Sequence, residues 1–134
     1  MKISSVNWQS VTVASIAGLG LGTLWYHPSV FGSVFMDFMG VAEHEYDTRK
    51  IAIEFVQQFL TCLAIAIVAT SAGMKTVEDA FKLSVVIGLG VCGSIVLSQH
   101  TWAELPPLLT AVDIGHDYVN ALVFSLFACL WRKA

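Results

Sequence analysis

With 134 residues the chain is read as one unit, 1–134, of which 56% is apolar and 13% charged, about half the charged share of an ordinary soluble domain. A water-soluble globule and an intrinsically disordered chain are thereby excluded, and a net charge of −3 provides no basic footprint for nucleic acid. What remains is an all-α integral membrane protein in a lipid bilayer; helices suit its long, unalternating apolar runs better than a barrel does.

The first transmembrane span is expected over 6–26. Trp8 and Trp25 mark its ends as interfacial anchors, and Pro28 stops it. Lys2 followed by an apolar run imitates a secretory signal. No convincing small-x-small cleavage site precedes Trp25-Tyr26-His27-Pro28, so the segment is read as a retained span. Ala14, Gly18 and Gly22, four apart, would let another helix approach closely. Next, Phe31, Val34, Phe35, Phe38 and Met39 share one face of a short helix over 30–39. That helix is expected to lie in the outer membrane interface. Gly32 and Gly40 as hinges would give it an alternative role as a lid. Residues 43–50 form a polar loop whose acids are read as solvated.

Three more spans follow, over 51–73, 80–101 and 108–131, each near the 20 or so residues that a bilayer core of about 30 Å requires. Gly73 closes the second. Thr76, Glu78 and Asp79 suit the start of the third, and Pro106 and Pro107 that of the fourth. Trp102 and Trp131 complete an aromatic belt. The third span holds a formal GxGxxG at Gly88, Gly90 and Gly93; inside an apolar run it is a packing feature, not a nucleotide loop. Its face of Gly90, Ser94 and Ser98 is assigned to helix contact, within the chain or in a homo-oligomer. Cys62, Cys92 and Cys129 have no CxxC partner and are read as inert thiols.

Basic residues orient the spans. Lys2, Lys75, Lys82, Arg132 and Lys133 fall on one side, against Arg49 and Lys50 on the other, which puts both termini in the cytoplasm of a bacterial inner membrane. The outer half then holds eight of the ten acids and all four histidines, His27, His44, His100 and His116.

Within the spans the acids cannot face lipid. Asp113, His116, Asp117 and Asn120 recur at i, i+3, i+4, i+7 and so share one helix face. Asp117 lies about 14 Å into its span, at about 1.5 Å per residue. Glu54, Gln57, Gln58 and Thr61 form a matching stripe. The two stripes are expected to face each other, with His100 and Glu104 closing the top and His27 at the same level, as an outward-opening polar pocket. No cofactor is predicted. A divalent metal held among His100, Glu104, Asp113, His116 and Asp117 is the alternative, since imidazole with carboxylates suits such an ion.

The opening segment resembles the membrane family called domain of unknown function 1761. The residues that carry this are Asn7 and Trp8, then Leu24-Trp25-Tyr26-x-Pro28, then Phe31 and Gly32. The fourth span is similar too, with Asp113-x-Gly115 in a helix ending at Trp131. The resemblance implies four transmembrane helices and no established activity. Where the family pattern has an aromatic directly after the glycine, this chain has His116 and Asp117 before Tyr118. The Trp-Tyr-x-Pro segment is read as an interfacial anchor and helix stop.

No catalytic motif is present, so an enzyme is not the favoured reading. The expectation is a binding or accessory membrane subunit with a membrane partner or a second copy. A small oligomeric transporter or channel for protons or cations, and a membrane enzyme, are the alternatives. The inner half of the spans has almost no ionisable group besides Lys82 to complete a path.

Overall fold

The structure, a computed structural model, describes residues 5–40 and 47–132. Lys2, Glu43, His44, Glu45 and Lys133 lie outside the described residues. The elements are α1 (Trp8–Trp25), a π-helical turn (Pro28–Gly32) leading into α2 (Ser33–Met39), α3 (Thr48–Ser71), α4 (Val77–Trp102) and α5 (Pro107–Leu130). No strand occurs among the described residues, and the chain is all-α.

Three of the long helices, α1, α3 and α4, start at a side-chain cap, and α5 starts at Pro107. Asn7 accepts from the N–H groups of Gln9 and Ser10 at the head of α1. The Asp47 carboxylate accepts from Arg49 N–H at 2.8 Å, so α3 begins three residues before the expected Ile51. Thr76 and Asp79 form a reciprocal capping box that likewise moves the start of α4 back from 80 to Val77. Within α4, residues Val85–Gly93 are π-helical, with each turn widened to i→i+5 bonding.

Successive long helices run antiparallel, and α5 packs against α1, α3 and α4. One end of the assembly is tied shut by the chain's extremities. Asn7 Nδ2 donates to Trp131 O at 3.2 Å, Ser10 Oγ to Phe127 O at 3.0 Å, and Arg132 Nη2 to Ala69 O at 2.6 Å. These donors bond to carbonyls at the C-terminal ends of α5 and α3; Phe127 O and Ala69 O thereby gain a second donor beside the N–H groups of Trp131 and Met74. Above this clamp lies a dry core of Val11, Cys62, Ile65, Ala69 and Phe124, all nearly fully buried.

Close approach explains most of the small residues. Gly18 lets Phe124 and Asn120 of α5 rest on α1, and Gly22 sits beside His116. On α4 the expected face makes no helix contact within the chain. Gly90 meets nothing outside its own helix, and Ser94 and Ser98 are exposed. Gly88 and Gly93, five apart, are the ones that pack on α5, against Tyr118, Ala121 and Ile114. A π-helical turn brings residues five apart onto one face, which a four-residue spacing does not foresee.

Two helices, α3 and α4, are long and apolar enough to cross a membrane. Only 22% and 28% of their apolar windows are buried, so most of this surface points outward. α1 and α5 fall below the same measure for a visible reason. The first carries Gln9, several hydroxyls and three glycines; the second carries the Asp113–Asn120 polar stripe.

Candidate functional site

The end of the assembly opposite the clamp opens into a cavity of about 490 Å³. Tyr26 and Phe35 form one wall, Glu54 and Gln57 of α3 the second, Val96, Gln99 and His100 of α4 the third, and Asp113, His116 and Asp117 of α5 the fourth. Among the described residues no Lys or Arg lines it. Beneath it is a recess of about 50 Å³ that shares Gln57 and Asp117 with the cavity and includes Gln58, Thr61 and Asn120. The two polar stripes thus lie across from one another. Gln58 and Asn120 belong to the recess, not to the main cavity.

Two hydrogen-bonded chains converge there. In the first, Tyr26 Oη donates to Asp113 Oδ1 at 2.6 Å, and His100 Nε2 lies 3.1 Å from Asp113 Oδ2. His100 Nδ1 is 3.0 Å from Thr110 Oγ1, which in turn donates to Pro106 O at 3.3 Å. A hydrogen on His100 Nε2 is donated to Asp113 Oδ2, since a carboxylate oxygen can only accept. In the second chain, Asn120 Nδ2 donates to Gln58 Oε1 at 3.2 Å, and Gln58 Nε2 donates to Glu54 Oε1 at 2.8 Å. With its amide nitrogen turned to Glu54, Gln57 also donates to Oε1 and Oε2 at 3.1 and 3.3 Å. Asn120 Nδ2 further donates to His116 Nε2 at 3.4 Å, which leaves the His116 hydrogen on Nδ1, 3.4 Å from Asp117 Oδ1.

Thr110, His100 and Asp113 stand in the order of a nucleophile, base and orienting acid. Thr110 is nevertheless buried and outside the cavity lining, so its hydroxyl orients His100 and does not meet a ligand.

Three expectations are corrected. Glu104 does not close the pocket: it has a φ of 54°, is exposed, and is carried away from the lining as α4 ends. The five residues named for a metal do not gather. His100 pairs with Asp113, His116 with Asp117, and Glu104 is elsewhere; among the described residues no group of three or more His, Cys, Asp or Glu is placed to hold a metal ion. Trp25 and Tyr26 turn inward instead of anchoring in an interface. The Trp25 indole N–H donates to Val112 O at 3.2 Å, and its ring lies 4.8 Å from Phe31.

Tyr26 and Phe35 meet edge to face at 5.0 Å, and Tyr26 is 5.0 Å from His116. Phe35 therefore places α2 at the cavity, the lid position. His27 does not line it; its Nδ1 accepts from Ser29 N–H at 3.2 Å. Reading the sequence by polar stripes missed Tyr26, Phe35, Val96, Gln99 and Thr110. Only Val96, one turn before His100, had a spacing that pointed to it.

The Tyr26–Asp113 bond gives a direct test of the first chain. In a double-mutant cycle of Tyr26→Phe and Asp113→Asn, followed by thermal unfolding in detergent, the coupling is expected to be about 1.5–3 kcal/mol, the range for hydrogen bonds to charged groups. Additivity within about 0.5 kcal/mol would overturn this.

A family model described as "Protein of unknown function (DUF1761)" matches residues 9–129. No curated protein and no solved structure matches the chain.

Proposed function

Because the chain belongs to this family of unknown function, its role has to be read from its own residues, and we propose that it is a one-sided ligand-binding membrane protein. In this reading α1, α3, α4 and α5 all span the bilayer, both termini are cytoplasmic, and the cavity opens outward. The bound species is small and polar. The protein acts as a binding or accessory subunit within the lipid, with a second copy or a membrane partner against its outward apolar faces.

The observation that carries this reading is the contrast between the two ends. Polar side chains from α3, α4 and α5, with Tyr26 from the corner after α1, meet at the cavity. Immediately beyond Asn120 and Gln58 the interior is Phe124, Cys62, Ile65 and Ala66, with no acid, base or histidine in that core. A proton or cation entering from the cavity finds no carboxylate or imidazole next in line among the described residues, which favours binding over conduction. The membrane reading is supported by the outward apolar surface, including Ile53, Val56 and Leu60 on α3 and Val86, Leu89 and Ile95 on α4. Such a surface in water would drive aggregation.

Cysteine labelling tests both claims. In a background without Cys62, Cys92 and Cys129, Val96→Cys is expected to react with a membrane-impermeant maleimide added outside intact cells, and Ile65→Cys with none added from either side. An unreactive Val96→Cys would overturn the outward cavity. Reactive Ile65→Cys would reveal a through-path and favour transport.

A further inference from the structure

We propose that the cavity takes a protonated amine, a small organic cation bearing N–H hydrogens, held by Asp117 and Glu54 against the rings of Tyr26 and Phe35. This rests on the reading of the cavity as a binding site and names the class of ligand.

The argument starts from an imbalance of charge and of acceptors. Three carboxylates line the cavity without a lysine or arginine among the described residues. Asp113 is spoken for, one oxygen by Tyr26 and the other by His100. Asp117 is not. His116 is its only hydrogen-bonding neighbour among the described residues, and Asn120 holds that ring with Nε2 as an acceptor and a single N–H. In that tautomer His116 gives Asp117 one N–H. Among the described residues Glu54 receives hydrogens only from the uncharged amides of Gln58 and Gln57. A space with surplus acceptors and negative charge is complemented by a ligand that supplies both hydrogens and a positive charge.

Size and walls separate an organic cation from a bare ion. The cavity, at about 490 Å³, is within the usual range of small-molecule sites, about 300–1,000 Å³. No three carboxylate or imidazole groups converge for a metal among the described residues. The edge-to-face pair of Tyr26 and Phe35 provides π faces that attract an ammonium group and apolar surface for its substituent.

The experiment is calorimetric titration of the purified full chain in detergent with benzylammonium chloride, benzyl alcohol and sodium benzoate at pH 7. Benzylammonium is expected to bind saturably, one per chain, at least about tenfold more tightly than the other two. Asp117→Asn and Glu54→Gln are each expected to weaken benzylammonium about tenfold and to leave benzyl alcohol unchanged. Glu54 is exposed, so its variant keeps the test open if Asp117→Asn does not fold. Equal binding of benzyl alcohol or benzoate, insensitive to Glu54→Gln, would overturn the cation and leave the cavity as a site for another class. Absence of binding by all three, with Val96→Cys reactive from outside, would also overturn it. An unreactive Val96→Cys would instead remove the underlying reading.

Discussion

Alanine in place of Gly32 is expected to break the corner that delivers Tyr26 to the cavity, with a loss of about 3 kcal/mol or more. The backbone angles of Gly32, φ −62° and ψ −31°, suit any residue, so its requirement is one of space. A Cβ there would collide with the carbonyl oxygen of Tyr26 and the carbonyl carbon of His27. Both are backbone atoms, held by the Gly32 N–H bond to His27 O at 3.0 Å, so no rotamer change relieves the overlap. The corner must open, and the Tyr26–Asp113 bond and the packing of Trp25 on Phe31 go with it. Thermal unfolding in detergent, read by circular dichroism, checks the loss. Gly40→Ala is the control. Gly40 has a φ of 66° with open space around it, so only the left-handed backbone is penalised, by about 1–2 kcal/mol. If Gly32→Ala melts with or above Gly40→Ala, the steric account of this corner fails.

The second large effect is at the contact between α4 and α5. Gly88→Ala is expected to cost about 1–3 kcal/mol. Its Cβ would lie 2.9 Å from the Tyr118 Cα and 3.0 Å from the Ala121 Cβ, neither of which can swing aside. The two helices must move apart along the stretch that places His100 against Asp113. Gly90→Ala, two residues on, meets only its own Val85 carbonyl oxygen at 3.9 Å. It is expected to be neutral or stabilising by up to about 1 kcal/mol, since alanine loses less backbone entropy than glycine in a helix. The pair discriminates between registers. A four-residue small-residue face predicts that Gly90 is the sensitive position; the π-helical register predicts Gly88. Thermal unfolding of both variants decides, and a larger loss at Gly90 would overturn the packing described here.

That contrast shows where pattern reading stops. The polar stripes on α3 and α5 were visible because both helices keep the regular α period across them, so positions i, i+3, i+4 and i+7 fall together. The all-α class was visible for the same reason. Along α4 the period changes at Val85, and no residue type in Val85–Gly93 announces a π-helical stretch. Glu104 was placed wrongly because the chain turns there with a positive φ that glutamate rarely adopts. Tyr26, named through the family motif, was assigned to the interface because an aromatic near the end of an apolar run has two destinations, the lipid boundary or the interior. The choice between them depends on the corner built by Pro28 and Gly32, not on Tyr26 itself.

The ties at the closed end have a consequence for synthesis. Asn7 caps the first turn of α1 and also donates to the carbonyl of Trp131, a partner 124 positions later. Arg132 similarly completes the end of α3 through Ala69. In a chain emerging from the ribosome α1 and α3 are made long before Trp131 and Arg132, so Asn7 Nδ2 waits for its carbonyl and Ala69 O for a second donor beside Met74 N–H. The closed end is completed only once α5 has been made.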